Sequence, residues 1–387
     1  MKILMIAPEP FFEPRGTPFS EYYRIRALTE LGHQVDLVTY PIGADKHVPG
    51  LRIFRCLRPF WIRHVKTGPS AGKLVLDFLL FFSALKRLLL KRYDLIHTHE
   101  EASLFGTILG GVFRTPHLYD MHSSLVQQME NFKFTRSRFI RGLFAANERW
   151  ALKHARSVIV ICRSLFDHAA TMTRENKLTL IENFLDEAPD HLDGEMLKRI
   201  GDSLPKDRRI VTYTGTLEHY QGIPLLLESL AHLGEKYVML LVGGKPQQVE
   251  KLRIQAREMG LGNRVILTGR RPYEEIPYFL HLSHVLVSPR SLGTNIPLKI
   301  YAYLKSGVPV VATNLYTHTQ TLTPDIAILV DPEPEAIAAG VKRADGEEGR
   351  AAAAAAGDFC RRNYSPERYR ELVKQALARV KSPSPKR

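Results

Sequence analysis

Apolar residues fall along this chain in short, nearly unbroken β-branched runs, each followed by a longer amphipathic segment. In the first half the runs are 2–7, 34–40, 51–56, 95–99, 117–122, 157–162 and 177–183. In the second half they are 209–215, 237–244, 264–269, 284–289, 308–313 and 326–330. Continuous apolar runs of this length predict strands covered on both faces, hence parallel sheets flanked by helices. A polar stretch over 185–207, with Pro189 and Pro205, separates two complete patterns. The expected fold is therefore α/β, with two Rossmann-like doubly wound parallel-sheet domains over 1–188 and 206–365. A helix over 366–380 and a disordered basic tail over 381–387 complete the expectation. Ligands of such sheets bind beyond the carboxyl ends of the strands, so two sheets facing one another would share a cleft there.

Composition narrows the class. A length of 387 residues suits two domains, and 44% apolar with 24% charged residues excludes disordered and fibrous chains. The balance of 54 Lys+Arg against 40 Asp+Glu gives +14, which favours polyanions or anionic membrane surfaces as partners. Cys56, Cys162 and Cys360 share no short spacing, which argues against a disulfide framework or a zinc site and for a reducing, cytoplasmic setting. The longest apolar stretch, 74–85, is interrupted by Asp77 and is too short for a bilayer span.

Candidate chemistry sits where strands end. In the first strand–helix turn, Gly16 precedes Thr17-Pro18, an N-cap followed by proline at the first helical position. Such a turn suits a phosphate, or is an ordinary βα loop. No GxGxxG is present, so no dinucleotide cofactor is expected. His97 and His99 close one strand and His122 the next; His122 is the candidate donor to a hydroxyl or phosphate, while His97 and His99 read as structural. After the first strand of the second half, Gly215-Thr216-Leu217-Glu218 leads through Gly222 into a helix, a second glycine turn suited to phosphate. The densest constellation is SPRSLGTNIPLKIYAYLKSGVPVVAT over 288–313. Its loop Gly293-Thr294-Asn295-Ile296 offers backbone donors for a diphosphate, with Arg290 and Lys299 as balancing charge. Basic residues interleaved with aromatics recur over 54–66 and 132–144, a mix suited to a membrane interface and less to nucleic acid.

The segments GTLEHYQG, LIENFLD and PLKIYAYLKSGVPVVAT resemble motifs of the GT-B retaining glycosyltransferases of family 4, and the resemblance spans nearly the whole chain. It implies a nucleotide-sugar donor, transfer with retention and no metal. The basic and aromatic runs add the expectation of a lipid-linked or polysaccharide acceptor at the membrane, and no cofactor is expected. The leaving diphosphate would be stabilised by cationic side chains and a helix N-terminus. By position the resemblance implies a sugar and phosphate contact for His122, a diphosphate grip by Thr294, Asn295 and Ile296, and a phosphate or acceptor turn at Gly16. The final helix from Pro366 would cross back onto the first domain. The family's two glutamates would fall on Thr294 and Ala302, and the basic pair of its glycine loop on Thr216 and Gln221. Arg290 and Lys299, helped by Arg270 or Arg271, are the candidate replacements. A GT-B epimerase and a non-catalytic nucleotide-binding subunit are the alternatives.

Overall fold

The computed structural model describes residues 1–12, 16–62, 64–65, 70–124, 137–184 and 191–381. The chain divides into two compact units, one of Met1–Asn183 with Pro366–Arg387, the other of Phe184–Ser365.

In the first unit β1 (Lys2–Ala7), β2 (Gln34–Thr39), β3 (Leu51–Arg55), β4 (Leu95–His99), β5 (His117–Met121), β6 (Ser157–Val160) and β7 (Leu178–Leu180) form one parallel sheet in the order β3-β2-β1-β4-β5-β6-β7. Every residue of β4, β5 and β6 is buried, as a sheet covered on both faces requires. The cover comes from α1 (Gly16–Glu30), α2 (Ala71–Leu90), α3 (Ser103–Phe113), α4 (Arg138–His154) and α5 (Arg163–Ala170). The strand order reverses between β1 and β4, which opens a crevice at their carboxyl ends.

The second unit repeats the plan. Here β8 (Arg209–Thr214), β9 (Tyr237–Val242), β10 (Val265–Gly269), β11 (Val285–Ser288), β12 (Val310–Thr313) and β13 (Ile328–Val330) are ordered β10-β9-β8-β11-β12-β13. Its helices are α6 (Gly194–Gly201), α7 (Ile223–Ala231), α8 (Pro246–Glu258), α9 (Ile276–His281), α10 (Lys299–Lys305), α11 (Tyr316–Thr319), α12 (Pro334–Ala344) and α13 (Glu347–Asn363). The order now reverses between β8 and β11, so the 214–222 turn and the loop after Ser288 flank the crevice. Tyr213, Leu226, Leu230, Met239, Leu241, Val287 and Val311 form its main apolar core.

The last helix, α14 (Pro366–Lys381), belongs with the first unit and buries Tyr369, Val373, Ala376 and Leu377 there. Lys381 is its final residue, while 382–387, expected as a tail, lie outside the described residues. Strands are shorter than their apolar runs at several ends, for example Leu178–Leu180 within 177–183. Burial outlasts the regular strand there: Ile181 still donates to the Val160 carbonyl at 2.9 Å, and Ile181 and Phe184 are both in the core.

Candidate active site

Two groups of polar residues lie at the crevices, one in each unit. In the first unit, side chains two residues apart on a strand share a face, so His97 and His99 of β4 stand beside Asp120 and His122 at the end of β5. Asp120 is the centre. Arg24 of α1 donates from Nε to its Oδ2 at 2.7 Å. His97 Nε2 is 3.3 Å from the same oxygen, and His122 Nε2 is 3.2 Å from Oδ1. His122 Nε2 also lies 3.2 Å from His99 Nδ1. Burial alone would raise the Asp120 carboxyl, but the charges of Arg24 and His122 outweigh it and hold the group well below the usual carboxylate range. Burial lowers His97 and His99, which keeps both rings neutral. Tyr369 of α14 closes the far side, its ring centroid 5.2 Å from the Arg24 guanidinium carbon.

The donor atoms of His97, His99 and Asp120 lie within 4.8 Å of one another, close enough to enclose a cation. The Arg24 guanidinium already occupies Asp120, so a metal would enter against a fixed positive charge. Above this network Ser123 Oγ donates to Glu100 Oε2 at 2.8 Å, and burial pushes the Glu100 carboxyl up to about 7. Glu21 of α1 is fully buried next to Glu9, and burial followed by the Glu9 charge raises it well above the carboxylate range. Arg24, Asp120, Glu21 and Glu100 were missed by reading strand ends alone; the Asp120-x-His122 and His97-x-His99 spacings were the available signal. α1 begins at Gly16, with Thr17 half-buried in its first turn, and 13–15 lie outside the described residues. A cavity of about 780 Å³ lined by Arg114, His117, Trp150 and Arg156 sits at the opposite, amino end of this sheet and includes none of these groups.

In the second unit, the loop after β11 wraps around Arg290. Its Nε donates to the Leu292 carbonyl at 2.8 Å and its Nη1 to the Asn295 carbonyl at 3.0 Å. Thr317 Oγ1 donates to the Asn295 carbonyl at 2.6 Å, and Gln320 Nε2 to the Thr294 carbonyl at 2.6 Å. With their carbonyls turned to these donors, Thr294 and Asn295 have a held backbone. Among the described residues the amides of Gly293, Thr294 and Ile296 donate to no protein acceptor. Gly293 itself has φ +114°, and a Cβ there would lie 2.5 Å from Arg290 Nη2. Arg290 thus has a structural task beyond the charge expected of it: it folds the loop that carries the free amides.

Lys299, the first residue of α10, is half-buried. Its Nζ donates to Gln221 Oε1 at 3.4 Å and lies 3.6 Å from the Tyr213 ring centroid. A Cβ on Gly215 would stand 3.0 Å from it. So a cation reaches the glycine turn from α10, in the place where Thr216 and Gln221 carry no charge. Among the described residues no carboxylate pairs with Lys299 or Arg290. Burial, then the Arg290 charge, lowers the Lys299 ammonium well below its ordinary value.

The remaining sequence candidates separate. Glu218 accepts from Gln248 Nε2 at 3.1 Å and faces Lys245 Nζ at 3.7 Å. Arg270 is exposed, and Arg271 is committed to Glu275 at 2.6 Å. Thr294 is exposed, Ile296 buried, and Ala302 half-buried. Tyr213, Thr317 and Gln320 carried no sequence signal, since each acts through a contact 22 to 86 residues away in the chain.

Residues 22–188 match the model of Glycosyltransferase Family 4, and residues 198–356 match that of Glycosyl transferases group 1. A 2-deoxystreptamine glucosyltransferase of Streptomyces kanamyceticus is 26% identical over 57% of this chain and 59% of that protein. A 2-deoxystreptamine N-acetyl-D-glucosaminyltransferase of Streptomyces fradiae is 26% identical over 51% of this chain and 49% of its own. The chain thus spans about half the length of the curated relatives it matches. The crystal structure of HepE from Anabaena in complex with UDP superposes with a TM-score of 0.77 at 19% identity, covering 98% of this chain and 100% of HepE. WaaG, a glycosyltransferase involved in lipopolysaccharide biosynthesis, superposes with a TM-score of 0.70 at 13% identity over 99% and 100% of the two chains. The two family models lie one on each half and together match most of the chain, so the chain carries glycosyltransferase family domains on a fold of GT-B architecture.

Proposed function

We propose that the protein moves a sugar from a nucleotide-sugar donor to a lipid-linked or polysaccharide acceptor, with retention and without a metal ion. The observation that carries this reading is the cation pair Arg290 and Lys299, unmatched by any carboxylate, beside the unpaired amides of Gly293, Thr294 and Ile296. Backbone donors with two fixed positive charges suit a diphosphate. As the bond from the anomeric carbon to the leaving diphosphate breaks, negative charge grows on that diphosphate. Lys299 would meet it at no cost in reorganisation, because Tyr213 and Gln221 already hold the ammonium. His122, oriented by Asp120, would donate to a sugar hydroxyl. Glu218 and Arg270 would lie at the rim of the donor seat, and Gly16 and Thr17 on the acceptor side. Support for the donor class comes from HepE, whose structures contain UDP and UDP-glucose.

The reading places the enzyme against an anionic membrane, on the evidence of the basic and aromatic run at 54–66. The companion run is described only from residue 137 onward. Among the described residues no helix is long and apolar enough to cross a membrane. Threonine and alanine at 294 and 302 favour a second reading, a nucleotide-binding subunit without turnover. A thermal-shift panel of nucleotide sugars, followed by turnover of the best hit without added metal, decides between them. Binding with turnover supports transfer; binding without turnover in the presence of membrane extract supports the subunit; no binding sinks both.

A further inference from the structure

α2 is apolar on two opposite sides. Leu76, Leu80, Ala84 and Leu88, four residues apart, are buried against Leu4, Ile6, Val38 and Ile96. On the other side Leu74, Phe78, Phe82 and Leu89 are exposed by 61%, 63%, 48% and 70%. A helix on the surface of a folded domain normally turns polar residues to that side. Here the polar residues of the first turns point inward instead: Asp77 accepts from the Tyr40 hydroxyl at 2.5 Å, and Lys73 pairs with Glu101.

The loop that precedes α2 extends this face. Ile62 is buried in the same core as Leu76 and would touch a Cβ on Gly72 at 3.9 Å. That anchors the loop at the first turn of α2. Just before it, Leu57, Phe60 and Trp61 are exposed by 76%, 89% and 62%. Patches of this kind on a soluble domain mark a binding surface.

Charge selects the occupant. From Cys56 to Lys91 the only carboxylate is Asp77, which faces inward, while Arg58 and Lys86 are exposed along the patch. A second copy of the chain would bring these cations against each other; an anionic lipid surface would neutralise them. We propose that the outer face of α2, with the 57–61 loop, lies in the interfacial layer of an anionic bilayer. Leu74, Phe78, Phe82 and Leu89 reach toward the acyl chains, and Trp61 sits at headgroup level. This rests on the membrane part of the proposed function and extends its surface from the 54–66 run to the outer face of α2.

The test is co-sedimentation of the full chain with phosphatidylcholine vesicles, with and without one third phosphatidylglycerol. The wild type is expected to partition at least tenfold better onto the anionic vesicles, and Trp61 fluorescence to shift to the blue in a Trp150→Phe background. The variant Phe78→Ser/Phe82→Ser/Leu89→Asn removes exposed groups only, so its melting temperature and nucleotide binding should persist while vesicle binding falls tenfold or more. Equal binding to both vesicle types, or equal binding by the variant, overturns the proposal. So does a wild-type dimer in sedimentation velocity that the variant abolishes, which would assign the face to a second copy. Nucleotide-sugar turnover in vesicle-free solution is read separately, so failure of the transferase reading leaves this result intact.

Discussion

The Lys299 ammonium lies 3.6 Å from the centroid of the Tyr213 ring. The ring face offers a weak negative potential but no counter-charge, so the ammonium keeps a need for an anion. Replacing Lys299 by Met should lower turnover by about a hundredfold, the scale for one charge-stabilising donor. The same change should raise the melting temperature, because burial and Arg290 both disfavour the charged form in the folded chain. Loss of activity with a lower melting temperature would point to a packing role instead.

The depressed ammonium also sets a pH dependence. A base whose folded pKa lies below its unfolded value binds fewer protons when folded, so stability rises with pH between the two values. A bound diphosphate favours the protonated form and draws the pKa back up. Nucleoside diphosphate affinity should therefore fall as pH rises through the Lys299 pKa of the free protein, well below 10.5. Titration calorimetry in two buffers of different ionisation enthalpy should show proton uptake on binding, and none in Lys299→Met.

Gly293→Ala places a side chain at φ +114° and against the Arg290 guanidinium. Strain of this kind costs about 1–3 kcal/mol. A drop in nucleotide affinity with a drop in melting temperature of a few degrees is expected, and unchanged affinity would remove the loop from the donor seat.

Asp120→Asn leaves the buried Arg24 without its counter-charge and should cost about 3–5 kcal/mol. In the wild type the depressed Asp120 pKa contributes stability that is present above the unfolded value near 3.8 and lost as pH falls through the folded one. Acid unfolding of the variant should lack that contribution. Urea unfolding at pH 7 and at pH 3 measures both effects.

Asp77 behaves oppositely. Burial, then the Glu101 charge, pushes its carboxyl up to about 7, against the opposing effects of the Tyr40 hydroxyl and Lys73. A raised acid binds extra protons in the folded state, so stability falls as pH rises from about 3.8 to about 7. Asp77→Asn keeps an acceptor for Tyr40 and should flatten that limb, with a net gain at pH 8 in thermal unfolding.

Much of the architecture was readable in one dimension. The strand Tyr237–Val242 announces itself, because a strand buried on both faces is apolar along nearly its whole length. The loop Gly293–Ile296 was legible for a similar local reason, a glycine turn between a strand and a helix. The order β3-β2-β1-β4 and its repeat in the second unit were not, since strand pairing depends on crossovers rather than on local pattern. That order decided which turns flank each crevice. Only the tertiary structure could decide that Arg290 folds its own loop, that Lys299 reaches the turn at Gly215, and that Arg24 meets Asp120 across 96 residues. Charge and apolarity are properties of single residues, and the chain states them outright. Partnership is a property of pairs brought together by folding, and it is partnership that separates a structural ion pair from a cation left waiting for its ligand.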